Sequence, residues 1–340
     1  YKTTENGTDV YYFAGQDTTS VPINNWVKFG KYQSSNVKYR GYTGGEIHFY
    51  KDYSTMEECT SAEDYNMNCT EVKYYSAGDD MYWRIIRTNA DGSIRLLYSG
   101  TSTTATDAYI GTSTFNENDD SPKYVGYMYG DSDTTLEEAR TNTNNSTIKT
   151  FVDNWYENNF TAYTNYLSND AIYCNDRELA SGNSYSTSSE LHFKLSERLK
   201  TNKTPTYDCT NTKDAFSVNN IEAKIKYPIA LMTADEILYA GGVYSMNADG
   251  ASKIWIDTNS NFNYYNDINK LEFWWVNTPN HYVLNDGTMV YLTSNGILSA
   301  MYVPIPFGVR PVTSLKSCVQ WKSGDGSADN PYEIFENGGC

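Results

Sequence analysis

Four oxygen-bearing side chains recur at alternate positions in Asp257-x-Asn259-x-Asn261-x-Asn263, with Asn266 and Asp267 following. Hard oxygen donors at that spacing are what a calcium loop needs, although the stretch has neither the central glycine nor the distal glutamate of an EF-hand. Calcium is therefore the one cofactor the sequence suggests, on Asp257, Asn259, Asn261 and Asn263; otherwise none is expected. A second group, Trp274, Trp275, Asn277, His281, Tyr282 and Tyr291, gathers indole, amide, imidazole and phenol groups near the C-terminus. Exposed aromatic faces of this kind carry binding hot spots, so these six residues are the candidate ligand contacts. Strand alternation sends Trp274 and Trp275 to opposite faces, and at least one of them is expected in the core.

Other chemistries lack their anchors. No phosphate-binding GxxxxGK[ST], no GxSxG elbow, no GxGxxG and no HExxH occurs, and His48, His192 and His281 are scattered along the chain. Adjacent carboxylates such as Asp235/Glu236 or Glu57/Glu58 would serve a glycosidase only if they faced each other about 5 Å apart across a cleft. Neighbours on a helix diverge, and a helix cap or solvated face is the expected role. Arg310, a charge among apolar residues in GVRPV, is expected to be structural and to pair with a buried carboxylate such as Asp235 or Asp176. No catalytic residue is assigned, and the chain reads as non-enzymatic.

The 340 residues hold 26 basic and 42 acidic side chains, a net charge of −16, with 32 Tyr, 12 Phe and 7 Trp. The aromatic content is that of a folded chain. The charge repels phosphate backbones and anionic lipid, so nucleic acid is not an expected partner. No apolar run approaches the length of a membrane helix, and direct membrane insertion is not expected. Six cysteines fall into neighbouring pairs, Cys59/Cys69, Cys174/Cys209 and Cys318/Cys340, with no CxxC. An even count of this kind suggests three disulfides formed outside the cytosol, and the sequential pairing is one of 15 possible. Cys340, the last residue, also suits a crosslink to another chain. An extracellular or cell-surface location follows from the cysteines alone; the first residues show no basic-then-apolar leader, which is expected to have been removed.

The elements that must position these residues are mostly strands. Short strands are expected at Val10–Phe13, Trp26–Phe29, Val37–Tyr42 and Glu46–Tyr50. Met81–Tyr98 reads as a hairpin turning at Asn89-Ala90-Asp91-Gly92. Residues 99–147 are rich in Thr, Ser, Asp and Asn and, with only Tyr124–Tyr129 resembling a strand, read as exposed loops. From Ser146 to Tyr156, Ile148, Phe151, Val152 and Trp155 recur with helical spacing behind a hydroxyl cap, which gives Trp155 a structural role. A short helix is expected between Ser189 and Thr201. A second main helix runs from Thr233 to Ala240, with a Thr233–Glu236 capping box and Gly241-Gly242 closing it. Strands at Phe273–Asn277, Tyr282–Leu284, Thr288–Leu292, Ile297–Val303 and Phe307–Leu315 form an antiparallel meander, turning at Asn285-Asp286-Gly287 and Ser294-Asn295-Gly296. The sum is an α+β fold.

The stretches YYSAGDDMYWRIIRTNADGSIRLLYSGT (74–101), NSTIKTFVDNWY (145–156), CNDR (174–177), TNKTPTYDC (201–209), YPIALMTADEILYAGGVY (227–244), FWWVNTP (273–279), SNGIL (294–298) and FGVRPVTSLK (307–316) resemble an uncharacterised family of exported proteins of gut-type Gram-positive bacteria. Their closing G-x-R-P-V strand is similar to that of the C-type-lectin-like fold, including its formylglycine-generating-enzyme-like branch. The resemblance implies a twisted antiparallel sheet with two main helices and long loops, stapled by disulfides. It carries no activity: the enzymatic branch has a close cysteine pair before its terminal strands, and none stands there.

The expected organisation is an N-terminal β-rich segment (1–75), a C-type-lectin-like domain (76–316) and a disulfide-tied tail (317–340), with loops 99–147, 175–200 and 245–270 as the variable surface. The expected function is adhesion or recognition, with a glycan or protein on another surface as partner. The alternative is a homopolymeric subunit of a filament, pilus or surface layer, and an enzyme of the formylglycine-generating type comes last.

Overall fold

The computed structural model describes residues 1–44, 49–105, 108–185, 190–198, 204–244, 254–256, 273–284, 287–294, 297–336 and 340. The hairpin read from the sequence is its centre. Asp80–Thr88 and Ile94–Tyr98 pair antiparallel, and Gly92 takes the positive φ (81°) that the turn requires. Around this hairpin, in the order Ile229–Leu231, Pro311–Leu315, Ile94–Tyr98, Asp80–Thr88, Trp26–Lys31, Tyr332–Ile334, Trp321–Ser323, runs a sheet of seven strands. Trp26–Lys31 lies antiparallel to Asp80–Thr88 and parallel to Tyr332–Ile334. One sheet thus draws strands from before residue 75, from the middle and from after residue 317.

The second large sheet is built on the meander Trp274–Val283, Gly287–Ser294, Ile297–Tyr302. Val243–Tyr244, Phe307–Gly308, Thr112–Ser113 and Glu190–His192 extend it. What the sequence presents as two strands, 273–277 and 282–284, is one strand, Trp274–Val283, whose register shifts on both sides of Pro279. Proline has no N–H to give to a ladder and is accommodated at a bulge. Conversely, the expected strand Phe307–Leu315 is two. Phe307–Gly308 belongs to the second sheet and Pro311–Leu315 to the first, and the chain crosses between them at Val309 and Arg310. A three-stranded sheet, Tyr50–Tyr53, Asn36–Tyr42 and Met67–Tyr75, lies at the N-terminal side.

Helix Thr147–Asn159 starts where Ser146 accepts from the Lys149 N–H, and buries Ile148, Val152, Trp155 and Tyr156 along one stripe. Trp155, Tyr32, Tyr98, Trp83 and Phe160 form a chain of ring contacts beneath the central hairpin. Helix Ala234–Tyr239 carries the expected capping box, in which Thr233 and Glu236 bond reciprocally. The fold is α+β and mostly β, with disulfides Cys59–Cys69, Cys174–Cys209 and Cys318–Cys340. Among the described residues no helix is long and apolar enough to cross a membrane.

Two segments differ from their sequence reading. Residues 99–147 are not a set of exposed loops: Tyr109, Ile110, Phe115, Val125, Tyr127 and Ala139 are buried, linked by short turns and two-residue strands. Polar composition hid these apolar residues because they come singly or in short groups and so give no sustained periodicity. The helix expected at 189–201 is instead strand Glu190–His192 followed by the single turn Lys194–Glu197, since the strand finds a partner in Trp274–Val283.

Candidate functional site

The CNDR motif builds one wall of a polar cleft. Asn175 accepts from the Tyr127 N–H at 2.8 Å, and its amide donates to the carbonyl of Asn277, also at 2.8 Å. Asn277 returns the bond by donating to the Cys174 carbonyl at 3.1 Å. Arg177 spends its guanidinium on Asp214 Oδ1 (2.6 Å), the Met128 carbonyl (2.7 Å), Asn142 Oδ1 (2.9 Å) and the Lys213 carbonyl (2.9 Å), while Arg140 reaches Asp214 Oδ2 at 3.0 Å. Asp176 sits between these two anchors in the left-handed region, φ 44°. This conformation is uncommon outside glycine, and aspartate tolerates it better than most residues. Arg198 meets Asp176 Oδ2 at 3.0 Å and Asp235 Oδ2 at 2.7 Å.

Asp235 and Glu236, neighbours on the helix, do diverge, but neither faces solvent. Asp235 bonds Arg198 and, through Oδ1, accepts the Thr206 N–H at 2.9 Å. Glu236 closes the capping box and receives Arg87 Nε at 3.0 Å, with Arg95 Nη1 at 3.4 Å. Arg87 also binds Glu5 at 2.9 Å, and the Tyr207 ring lies 4.2 Å beneath its guanidinium. The expected solvated face is thus replaced by a buried ion network joining the N-terminal strand, the central hairpin and the helix start. Sequence inspection could not find it, because Glu5, Arg87, Arg95 and Glu236 converge only through the sheet.

Electrostatics separate the two neighbouring carboxylates. Burial pushes Asp235 up to about 6; Arg198 pulls against this and Asp176 adds to it. Burial would also raise Glu236, but Arg95 and Arg87 outweigh it and hold the group below its usual range. Burial raises Asp176 as well, against the pull of Arg198. Because Arg198 spans Asp176 and Asp235, the two carboxylates share one cation.

Above this network lies a cleft of about 230 Å³ lined by Asp176, Glu178, Lys194, Arg198, Asp208 and Asn211, with the Cys174–Cys209 disulfide along it. Beneath it is a cavity of about 20 Å³ bordered by Arg95, Arg198, Tyr207 and Asp235, which has room for one water. Buried Arg95 Nε, Arg198 Nε and the Tyr207 hydroxyl have no protein hydrogen-bond partner among the described residues.

The sequence-derived ligand residues occupy other positions. Trp274 and Trp275 are both in the core: Trp275 donates to the Ser113 carbonyl at 3.0 Å and packs edge-on against Phe115 and Phe307, and Arg310 lies 4.9 Å over Trp274. Both faces of their strand are covered, so alternation leaves neither indole outside. Asn277 is fully buried, as described. Tyr282 is buried, its hydroxyl donating to the Asp120 carbonyl at 3.3 Å; His281 is half-buried. Tyr291 stands in strand Gly287–Ser294, opposite Ala300. The calcium candidates Asp257, Asn259, Asn261 and Asn263 lie outside the described residues; among those described, no group of three or more His, Cys, Asp or Glu is assembled for a metal. Arg310 bonds the carbonyls of Tyr98 (3.2 Å) and Ile256 (2.8 Å) and the Ser99 hydroxyl (3.2 Å). The carboxylates expected for it, Asp235 and Asp176, are taken by Arg198, because Arg310 is fixed at the crossover between the two sheets.

No family model, no curated protein and no solved structure matches the chain.

Proposed function

We propose that the protein is an exported, non-enzymatic recognition module of C-type-lectin-like type, which holds a glycan on another surface through the polar cleft at Asp176, Glu178, Lys194, Arg198, Asp208 and Asn211. One observation carries this reading: a cleft lined by donors and acceptors of both signs stands on a floor fixed by partly buried ion pairs and a disulfide. Sugar hydroxyls both donate and accept, so a mixed wall suits them, and a preorganised floor lowers the ordering cost of binding. Three disulfides and a net charge of −16 support an extracellular place of work. A glycan array probed with the full chain, then with Lys194→Ala and Glu178→Gln, tests it. Both side chains are half-exposed and paired with each other at 2.8 Å, so the variants should fold. Hits that weaken at least tenfold in both support the cleft; hits unchanged in both remove it.

The filament reading keeps one specific support. Edge strand Trp321–Ser323 is exposed throughout, and Trp321, 60% exposed, lies beside Tyr332 at 5.5 Å. An open edge of this kind can add a strand from a second copy. Light scattering that rises with concentration in the full chain and falls in Trp321→Lys would favour assembly over monomeric recognition.

A further inference from the structure

Two of the chain's three histidines, far apart in sequence, are brought face to face. Strand Glu190–His192 pairs with Trp274–Val283 so that His192 stands directly opposite His281. Their ring centres are 5.5 Å apart and their planes 32° from parallel. The backbone of His192 is fixed from both sides: its carbonyl accepts from the Ala180 N–H at 3.0 Å and its N–H donates to Asn183 Oδ1 at 2.9 Å. The following residue, Phe193, donates to the Asn280 carbonyl at 3.2 Å. Glu190, on the same face of the strand two residues before, places Oε1 2.8 Å from His192 Nε2.

We propose that His192, His281 and Glu190 form a binding site for a divalent transition metal, with zinc as the type case. Two imidazoles and a carboxylate are a known zinc ligand set, and it keeps a fourth position open to water. With Zn–N and Zn–O bonds of about 2.0–2.1 Å, two imidazoles on one tetrahedral ion have ring centres about 5–6 Å apart, and ligand atoms lie about 3.3 Å from one another. The observed 5.5 Å between rings meets the first condition. The 2.8 Å between Glu190 and His192 lies about half an ångström inside the second, a gap that a small side-chain rotation opens. Glu190 is 53% and His192 35% exposed at the side chain, so both groups border solvent. The three groups are therefore held within reach rather than already assembled, in keeping with the absence of a preformed three-ligand cluster among the described residues. Imidazole and carboxylate donors select this metal class over calcium, which takes oxygen ligands. The site is separate from the glycan reading and does not depend on it.

The test is calorimetric titration of the chelator-treated full chain with zinc chloride, in excess calcium to fill oxygen-only sites. One equivalent of zinc is expected to bind and to raise the melting temperature. His192→Ala and His281→Ala each abolish that equivalent, Glu190→Gln weakens it at least about tenfold, and His48→Ala leaves it unchanged. All four variants are checked for wild-type melting in the absence of metal. No zinc binding, or binding that persists in His281→Ala, overturns the site; the latter would mean adventitious capture by the acidic surface.

Discussion

Replacing Glu236 by Gln keeps the length and one oxygen of the side chain but withdraws the charge that answers two buried arginines. Glu236 is 1% exposed at its side chain, Arg87 4% and Arg95 0%. Removing one partner of a buried pair costs about 3–5 kcal/mol, because the remaining charge is left in a medium that cannot solvate it. Arg87 retains Glu5 at 2.9 Å, so the lower figure, about 3 kcal/mol, is the relevant one. Unfolding entropy of about 2.1 cal/mol/K per residue over 340 residues is about 0.7 kcal/mol/K, which converts that loss to a fall of about 4 °C in Tm. Differential scanning calorimetry at pH 7 measures it. The folded-state carboxyl lies below its ordinary value, so the wild type holds this advantage above the usual glutamate range and loses it as pH falls through the folded pKa; the two curves should converge in acid. A Tm change under about 1 °C at pH 7, or a difference that grows on acidification, would refute the role given to the network.

Asp235 has the opposite sign. Its folded pKa is raised from 3.8 to about 6, so wild-type stability should fall by about 2 kcal/mol as pH rises from 4 to 6, and this component should be missing from Asp235→Asn; parallel pH–stability curves would contradict it. Trp275→Ala should cost about 3–5 kcal/mol, seen as a lower urea midpoint, since the indole fills a closed site against Phe115 and Phe307; unchanged stability would mean the ring is not core. Gly41→Ala should lower the Tm by several degrees, because a Cβ there would collide with the Tyr65 carbonyl and lie 2.8 Å from Cys59 Sγ, and a neutral outcome would contradict that packing. Arg310→Ala should also lower the Tm sharply by freeing the carbonyls of Tyr98 and Ile256, and wild-type melting would refute its crossover role.

Local elements were legible in the sequence because their signals are local. The hairpin turn at Asn89–Gly92, the Ser146 cap with its apolar stripe, and the Thr233–Glu236 box are each contained within a few residues. The meander was legible for the same reason, apart from the bulge at Pro279 that merges two expected strands. Non-local convergence was not. Tyr332–Ile334 beside Trp26–Lys31, and Glu5 beside Arg87, depend on which edges remain open after the hairpin forms. The burial of both Trp274 and Trp275 was not legible because strand alternation shows which residues share a face, not whether that face is covered; both were. Likewise Asp176 carries no distinguishing pattern. Its position follows from Asn175 and Arg177, whose partners Tyr127, Asn277 and Asp214 lie far along the chain. His192 and His281 are scattered in sequence and adjacent in register.

The central claim, recognition through the cleft, is tested most directly by hydrogen–deuterium exchange of the full chain with and without the best-binding glycan from an array. Added protection should concentrate at 174–178, 190–198 and 204–214, the segments that contribute the cleft. Protection confined to the 321–335 edge, or none at saturating glycan, would contradict it.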